Sequence, residues 1–187
     1  MEILPENARG LGWLVRELDS LDGSLDPRTV RELLTTAHLD LQEVAPYVEL
    51  GVNSYARRCV VRRENYEVLV LTWSQAQGSV AHDHSGSLCG LKVVQGQLTE
   101  ELFSESADGR VRSTTKTRIG PQQIAVDPGV VVHALTNEAE SPEVLVTVHI
   151  YSPPLPKVRR YAVANGRSSV MNSARPNASP QYAATRA

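Results

Sequence analysis

The stretch Tyr66-Glu67-Val68-Leu69-Val70-Leu71-Thr72-Trp73 decides the fold: it is dense in β-branched and aromatic residues, the composition of a strand. It also marks where the period of the chain changes. Before Gly51 apolar residues recur at helical spacing. Leu11, Leu14, Val15, Leu18 and Leu21 lie three and four apart and predict an amphipathic helix over residues 7–21. Asp26-Pro27 reads as an N-cap followed by proline at the first helical position, and Val30, Leu33, Leu34 and Ala37 continue a second helix. A third is expected from Asp40, stopping by Pro46. After Trp73, strand-like runs follow at 91–95, 97–103, 111–118, 123–126, 130–135 and 144–151, separated by Gln95-Gly96, Asp108-Gly109, Gly120-Pro121 and Pro128-Gly129. Many short strands with turns between them predict a mainly β protein, a small barrel or jelly roll under a short helical N-terminal cap.

The chain of 187 residues suits one domain, expected over residues 1–165 with its helices at about 7–48. Residues 166–187, rich in Ser, Asn, Ala, Pro and Arg and without a period, are expected to form a flexible tail. Nineteen basic against twenty-one acidic residues leave a formal charge of −2, which argues against nucleic acid or an anionic membrane as partner. Two cysteines build no disulfide framework, no stretch is apolar enough to span a bilayer, and the N-terminus lacks a signal pattern; a cytoplasmic protein with reduced thiols is expected.

Only five histidines occur. His82-Asp83-His84 sets two imidazoles two residues apart, so on a strand both face one side and reach one ion while Asp83 points away. His133 offers a third nitrogen. Three neutral imidazoles suit iron, zinc, copper or nickel and leave positions open for a substrate.

The order Gly78, His82-x-His84, Cys89, Gly96, and later Pro128-Gly129, His133, Asn137, resembles the two metal motifs of the cupin superfamily of small β-barrels. Three departures stand out. The spacing ahead of His82 is short, His133 lies one residue further from its glycine, and Cys89 replaces the usual liganding glutamate. An all-histidine ligand set is therefore expected. With Cys89 in view, residues 82–103, HDHSGSLCGLKVVQGQLTEELF, and 149–154, HIYSPP, resemble the cysteine dioxygenase type I family, the thiol dioxygenase branch of the cupins, over about residues 55–161.

That resemblance implies a mononuclear Fe(II) centre, dioxygen as cosubstrate and L-cysteine converted to cysteine sulfinic acid. It makes His82, His84 and His133 the iron ligands, brings the Tyr151 phenol near the open iron positions, and puts Cys89 close enough to Tyr151 for a thioether. Tyr55-Ala56-Arg57 matches the family's Tyr-x-Arg, whose arginine binds the substrate carboxylate, and Trp73 packs behind the site. Thr147 stands where the family has serine ahead of His149 and Tyr151 and retains the hydroxyl. Strand parity supports this independently, since Thr147, His149 and Tyr151 share one face. Arginine is also the right choice for a carboxylate, because its planar fork makes two parallel charge-assisted bonds. Relatives acting on 3-mercaptopropionate tend to carry Gln in place of Arg57 and to lack the cysteine, so keeping both favours cysteine. A non-catalytic metal-binding cupin is the contrasting reading, and a monomer is expected.

Blander readings stand beside these. Arg57, Arg58, Arg62 and Arg63 also form the pattern of a solvated edge strand. His149 alone reads as a core histidine bonded to Thr147, Cys89 as a small apolar core residue, Cys59 as a buried strand cysteine, and His38 as a helix-end residue.

Overall fold

The computed structural model describes residues 9–107, 109–138, 140–155 and 158–163. The expected first turn of the opening helix at Asn7, Asp108 of the Asp108-Gly109 turn, and the tail expected over 166–187 lie outside these residues. The first helix, α1, spans Leu11–Asp19 and buries Leu11, Leu14 and Leu18. It ends two residues short of Leu21. α2 is Pro27–Thr36, with the Asp26 carboxylate accepting from the amides of Arg28 and Thr29 as the sequence predicts. α3 is a single turn, Leu41–Val44, capped by Asp40 and running into a 3-10 turn, Ala45–Tyr47. None of the described helices is long and apolar enough to cross a membrane.

Among the described residues ten strands follow: β1 Ala56–Arg62, β2 Glu67–Trp73, β3 His82–Asp83, β4 Leu88–Gln95, β5 Leu98–Glu105, β6 Val111–Ile119, β7 Ile124–Asp127, β8 Val132–Thr136, β9 Leu145–Ser152 and β10 Arg159–Arg160. They form two five-stranded sheets, β1-β2-β9-β4-β7 and β10-β3-β8-β5-β6, facing each other as a mainly β barrel. The run expected over 130–135 begins later, at Val132, because Gly129 turns the chain at φ +95 and leaves Val130 72% exposed.

The central strands of the first sheet are buried on both faces, which is why β2 reads as a continuous apolar run. Val68 and Val70 of β2, with Val146, Val148 and Ile150 of β9, face outward against α1 and α2. Leu69, Leu71 and Trp73 face inward with Cys89, Leu91, Val93 and Tyr151. α2 lies flush on β4 because Gly90 has no side chain: a Cβ there would meet Val30 Cγ1 at 2.3 Å. Lys92, two residues on and on the same outer face, is buried and donates from Nζ to the carbonyls of Leu34 and Ala37 at the C-terminal end of α2. It satisfies carbonyls that the helix leaves open and meets the negative end of the helix dipole.

Candidate metal centre

Register places the inward side chains of the first sheet in rungs. One rung runs Asp127, Cys89, Tyr151, Glu67, Arg62; the next runs Ala125, Leu91, His149, Leu69, Cys59; a third runs Val93, Thr147, Leu71, Arg57. Thr147, His149 and Tyr151 therefore line one face, as parity predicts, and Cys89 stands directly opposite Tyr151. Cys59 is half-buried rather than buried, because β1 is an edge strand.

The three histidines come from the other sheet. His82 pairs with His133 across β3 and β8, and His84 lies one residue past the end of β3. Parity alone does not place His84; its bond to Asp127 does. One nitrogen from each ring lies within 4.8 Å of those of the other two. Each ring commits Nδ1 elsewhere: His82 to the Val80 carbonyl at 2.8 Å, His84 to the Asp127 carboxylate at 3.1 Å, and His133 to Glu100 at 2.7 Å. Because all three acceptors lack protons, Nδ1 carries the hydrogen in every ring and Nε2 presents its lone pair to the centre. The Nε2 atoms of His84 and His133 stand 3.3 Å apart. Two bare lone pairs at that distance repel, whereas nitrogens bound at about 2.1 Å to one metal lie about 3.0–3.4 Å apart. Burial, then the charge of His133, pulls the pKa of His82 down to about 3, and burial outweighs Asp127 to lower that of His84. Both are neutral at pH 7, the form that binds metal. The donor set fits a metal.

Beside the three rings runs a buried hydrogen-bonded chain. Trp73 Nε1 donates to Thr147 Oγ1 at 3.1 Å, Thr147 Oγ1 meets His149 Nε2 at 2.9 Å, and His149 Nδ1 meets the Tyr151 hydroxyl at 3.3 Å. Direction follows from the indole, which only donates. Thr147 accepts from Trp73 and keeps its own proton, which is available to His149 Nε2. The His149 Nδ1–H then donates to the Tyr151 oxygen, and the Tyr151 hydroxyl in turn hydrogen-bonds the Cys89 thiol; the Tyr151 and His84 rings meet edge to face, their centres 5.3 Å apart. Burial, followed by the charge of Arg57, keeps His149 neutral, and burial beside Cys89 raises the Tyr151 pKa well above its usual value. Tyr151 stays a donor.

Arg57 is exposed on β1, yet its charge bears on His82, His149, Cys89 and Tyr151. It therefore sits at the solvent side of the site, close enough for its charge to be felt there. Tyr55, two residues before it, stacks on Trp73 with ring centres 3.9 Å apart. Arg58, Arg62 and Arg63 turn instead to Glu49, Glu67 and Asp19, so of the four arginines Arg57 is the one directed at the site. His38 is exposed beyond α2. Asp83 does point away, accepting from Tyr161 and the Ser85 amide. Asn137 lies outside the centre and clamps the carbonyls of Trp73 and Glu143.

Sequence reasoning missed Asp127 and Glu100. Both left a trace. Asp127 precedes the Pro128-Gly129 turn and accepts the Gly129 amide within it. Glu100 is a charged residue on the inward parity of β5, between Leu98 and Leu102.

A double-stranded β-barrel with three inward imidazoles whose donor set fits a metal is the architecture of the cupin class. The chain belongs to the cysteine dioxygenase type I family, whose family model matches residues 9–164. It is similar to cysteine dioxygenase type 1 of Danio rerio, 27% identical over 173 residues covering 89% of this chain and 85% of the relative. It is also similar to cysteine dioxygenase type 1 of Homo sapiens, 28% identical over 152 residues covering 78% and 76%. Among solved structures, an uncharacterized conserved protein with a double-stranded beta-helix domain from Klebsiella pneumoniae matches with a TM-score of 0.50 at 20% identity, over 63% of this chain and 88% of that one. That likeness bears on the fold.

Proposed function

We propose that this chain is an iron(II) cysteine dioxygenase, adding both atoms of dioxygen to the L-cysteine thiol to give cysteine sulfinic acid. The observation that carries the reading is the convergence of three Nε2 lone pairs beside the Trp73–Thr147–His149–Tyr151 chain in a member of this family. Iron(II) on His82, His84 and His133 supplies open coordination positions and the redox flexibility that dioxygen chemistry needs.

The chain's own residues do the rest. Arg57 takes the substrate carboxylate in a bidentate pair, with Tyr55 held beside it by Trp73. Tyr151 offers a hydrogen bond from its hydroxyl to the reacting atoms and keeps its proton, and His149, with Thr147 behind it, holds the phenol in place. The inner apolar residues keep bulk water from the thiol. Thiol plus dioxygen equals sulfinic acid, so the reaction balances with no outside reductant. The register that sets Cys89 opposite Tyr151 supports a thioether between them, in which a bond from Sγ to a ring carbon forms, the S–H and C–H bonds break, and the two hydrogens and two electrons reduce one dioxygen to hydrogen peroxide. Intact mass of aerobically iron-loaded protein reads this as a form lighter by two hydrogens that Cys89→Ala abolishes.

The deciding experiment compares oxygen uptake and sulfinate formation by iron-loaded protein with cysteine, 3-mercaptopropionate and cysteamine. One sulfinate per dioxygen, with cysteine preferred, is expected. Preference for cysteamine, which lacks a carboxylate, overturns the role of Arg57; preference for 3-mercaptopropionate reassigns the substrate. Metal binding without oxygen uptake on any thiol leaves a metal-binding cupin.

A further inference from the structure

The three imidazoles are not held alike. His82 leans on a neutral carbonyl and His84 on Asp127, a carboxylate that also serves the Gly129 amide. His133 has the shortest of the three bonds, 2.7 Å, to Glu100. Glu100 makes no other hydrogen bond among the described residues, and its side chain keeps 14% of its surface accessible.

That accessibility opens away from Arg57. The first sheet ends on β7 and the second on β6, and these two edges do not pair. Between them lies a cavity of about 520 Å³ lined by Glu100, Thr117, Ile119, Gln123, Ala125 and, from α2, Thr35. Glu100 thus bonds His133 with one oxygen and also lines this cavity, beside Thr117, Arg118 and Gln123.

We propose that Glu100 is a positioning residue that orients His133 through Nδ1 and lends its negative charge to a metal on the three Nε2 atoms, at a place the seam between β6 and β7 leaves open to small carboxylates. A carboxylate behind a ligating imidazole raises its basicity and holds its ring, and losing such a partner weakens metal binding by about ten- to hundred-fold. Three neutral ligands alone leave the ion's charge uncompensated within the barrel. Glu100 and Asp127, each one hydrogen bond behind an imidazole, supply the two negative charges that the ligand set lacks. The inference rests on reading the three histidines as a metal centre but not on the reaction performed there.

The test uses Co²⁺ as probe, with affinity measured by chelator competition and coordination by visible absorption, on the full chain. Glu100→Gln keeps shape and an acceptor for His133 but removes the charge, and its affinity is expected to fall about tenfold or more. Glu100→Ala is expected to fall further, and formate, diffusing in through the seam, to restore both affinity and spectrum while leaving the wild type unchanged. A folded Glu100→Gln that binds Co²⁺ like the wild type overturns the proposal, as does a folded Glu100→Ala indifferent to formate. If Glu100→Ala does not fold, Glu100→Gln decides alone. A wild type that binds no Co²⁺ refutes the metal centre itself, a separate result from unchanged affinity in the variants.

Discussion

At the scale of single residues, two side chains separate substrate binding from proton placement. Among the described residues Arg57 makes no ion pair, and its charge bears on the site, so its fork is available to a ligand. Replacing it with Gln removes a bidentate charge-assisted pair of about 1.5–3 kcal/mol. KM for cysteine is expected to rise about ten- to hundred-fold with kcat nearly kept, as steady-state oxygen uptake measures; unchanged KM removes Arg57 from the site. Thr147 lies deeper and serves both Trp73 and His149. Thr147→Val keeps the volume but orphans the buried indole N–H and the His149 Nε2, at a cost of about 1–3 kcal/mol each. The His149 tautomer is then no longer dictated, and kcat is expected to fall while Thr147→Ser retains it. Equal kcat in the Val and Ser variants would show that the chain of donors ends before Tyr151.

At the scale of elements, Lys92 joins a helix to a sheet. Its β4 neighbours Leu91 and Val93 face the barrel, while Lys92 and Gly90 face α2. Lys92→Met fills much of the same space and leaves the Leu34 and Ala37 carbonyls buried without donors, so the midpoint of urea unfolding should shift by an amount worth about 2–4 kcal/mol. A shift below about 0.5 kcal/mol would mean that water reaches these carbonyls. Lys92 also shows how far the elements were legible in the chain. Periodicity located α1 and α2 and most of the strands to within a few residues, because Leu14, Leu18, Val30 and Leu34 sit on clean apolar stripes and β2 and β9 are buried on both faces. Spacing likewise exposed His82, His84 and His133. The acceptors behind those rings and the cation under α2 were not legible, because Asp127, Glu100 and Lys92 act across sheet edges and layers, and local pattern carries no record of which element packs behind a strand. β3, only two residues long, shows no period at all.

At the scale of the whole molecule, a concentration of buried neutral imidazoles couples stability to pH. His82, His84 and His149 all have folded pKa values below the ordinary value near 6.5, in each case first through burial. Above pH 6.5 the folded and unfolded chains both carry these rings neutral, and stability does not depend on them. Below it, the unfolded rings take up protons that the folded ones refuse. The unfolded state therefore binds more protons, and folding stability must fall with falling pH, from about 6.5 down toward the folded pKa values, about 3 for His82. A ring that stays neutral in the folded protein while its unfolded counterpart is protonated contributes about 1.4 kcal/mol per pH unit. That is appreciable against a total stability of about 5–15 kcal/mol. Metal-free protein should melt at nearly one temperature between pH 7.5 and 6.5 and at sharply lower temperatures by pH 5. His149→Phe, which keeps an apolar ring but cannot titrate, should show a shallower decline over the same range. Stability that holds level or rises between pH 6.5 and 5 would mean that these imidazoles reach water in the folded protein, which would also withdraw the argument that they present neutral nitrogens to a metal.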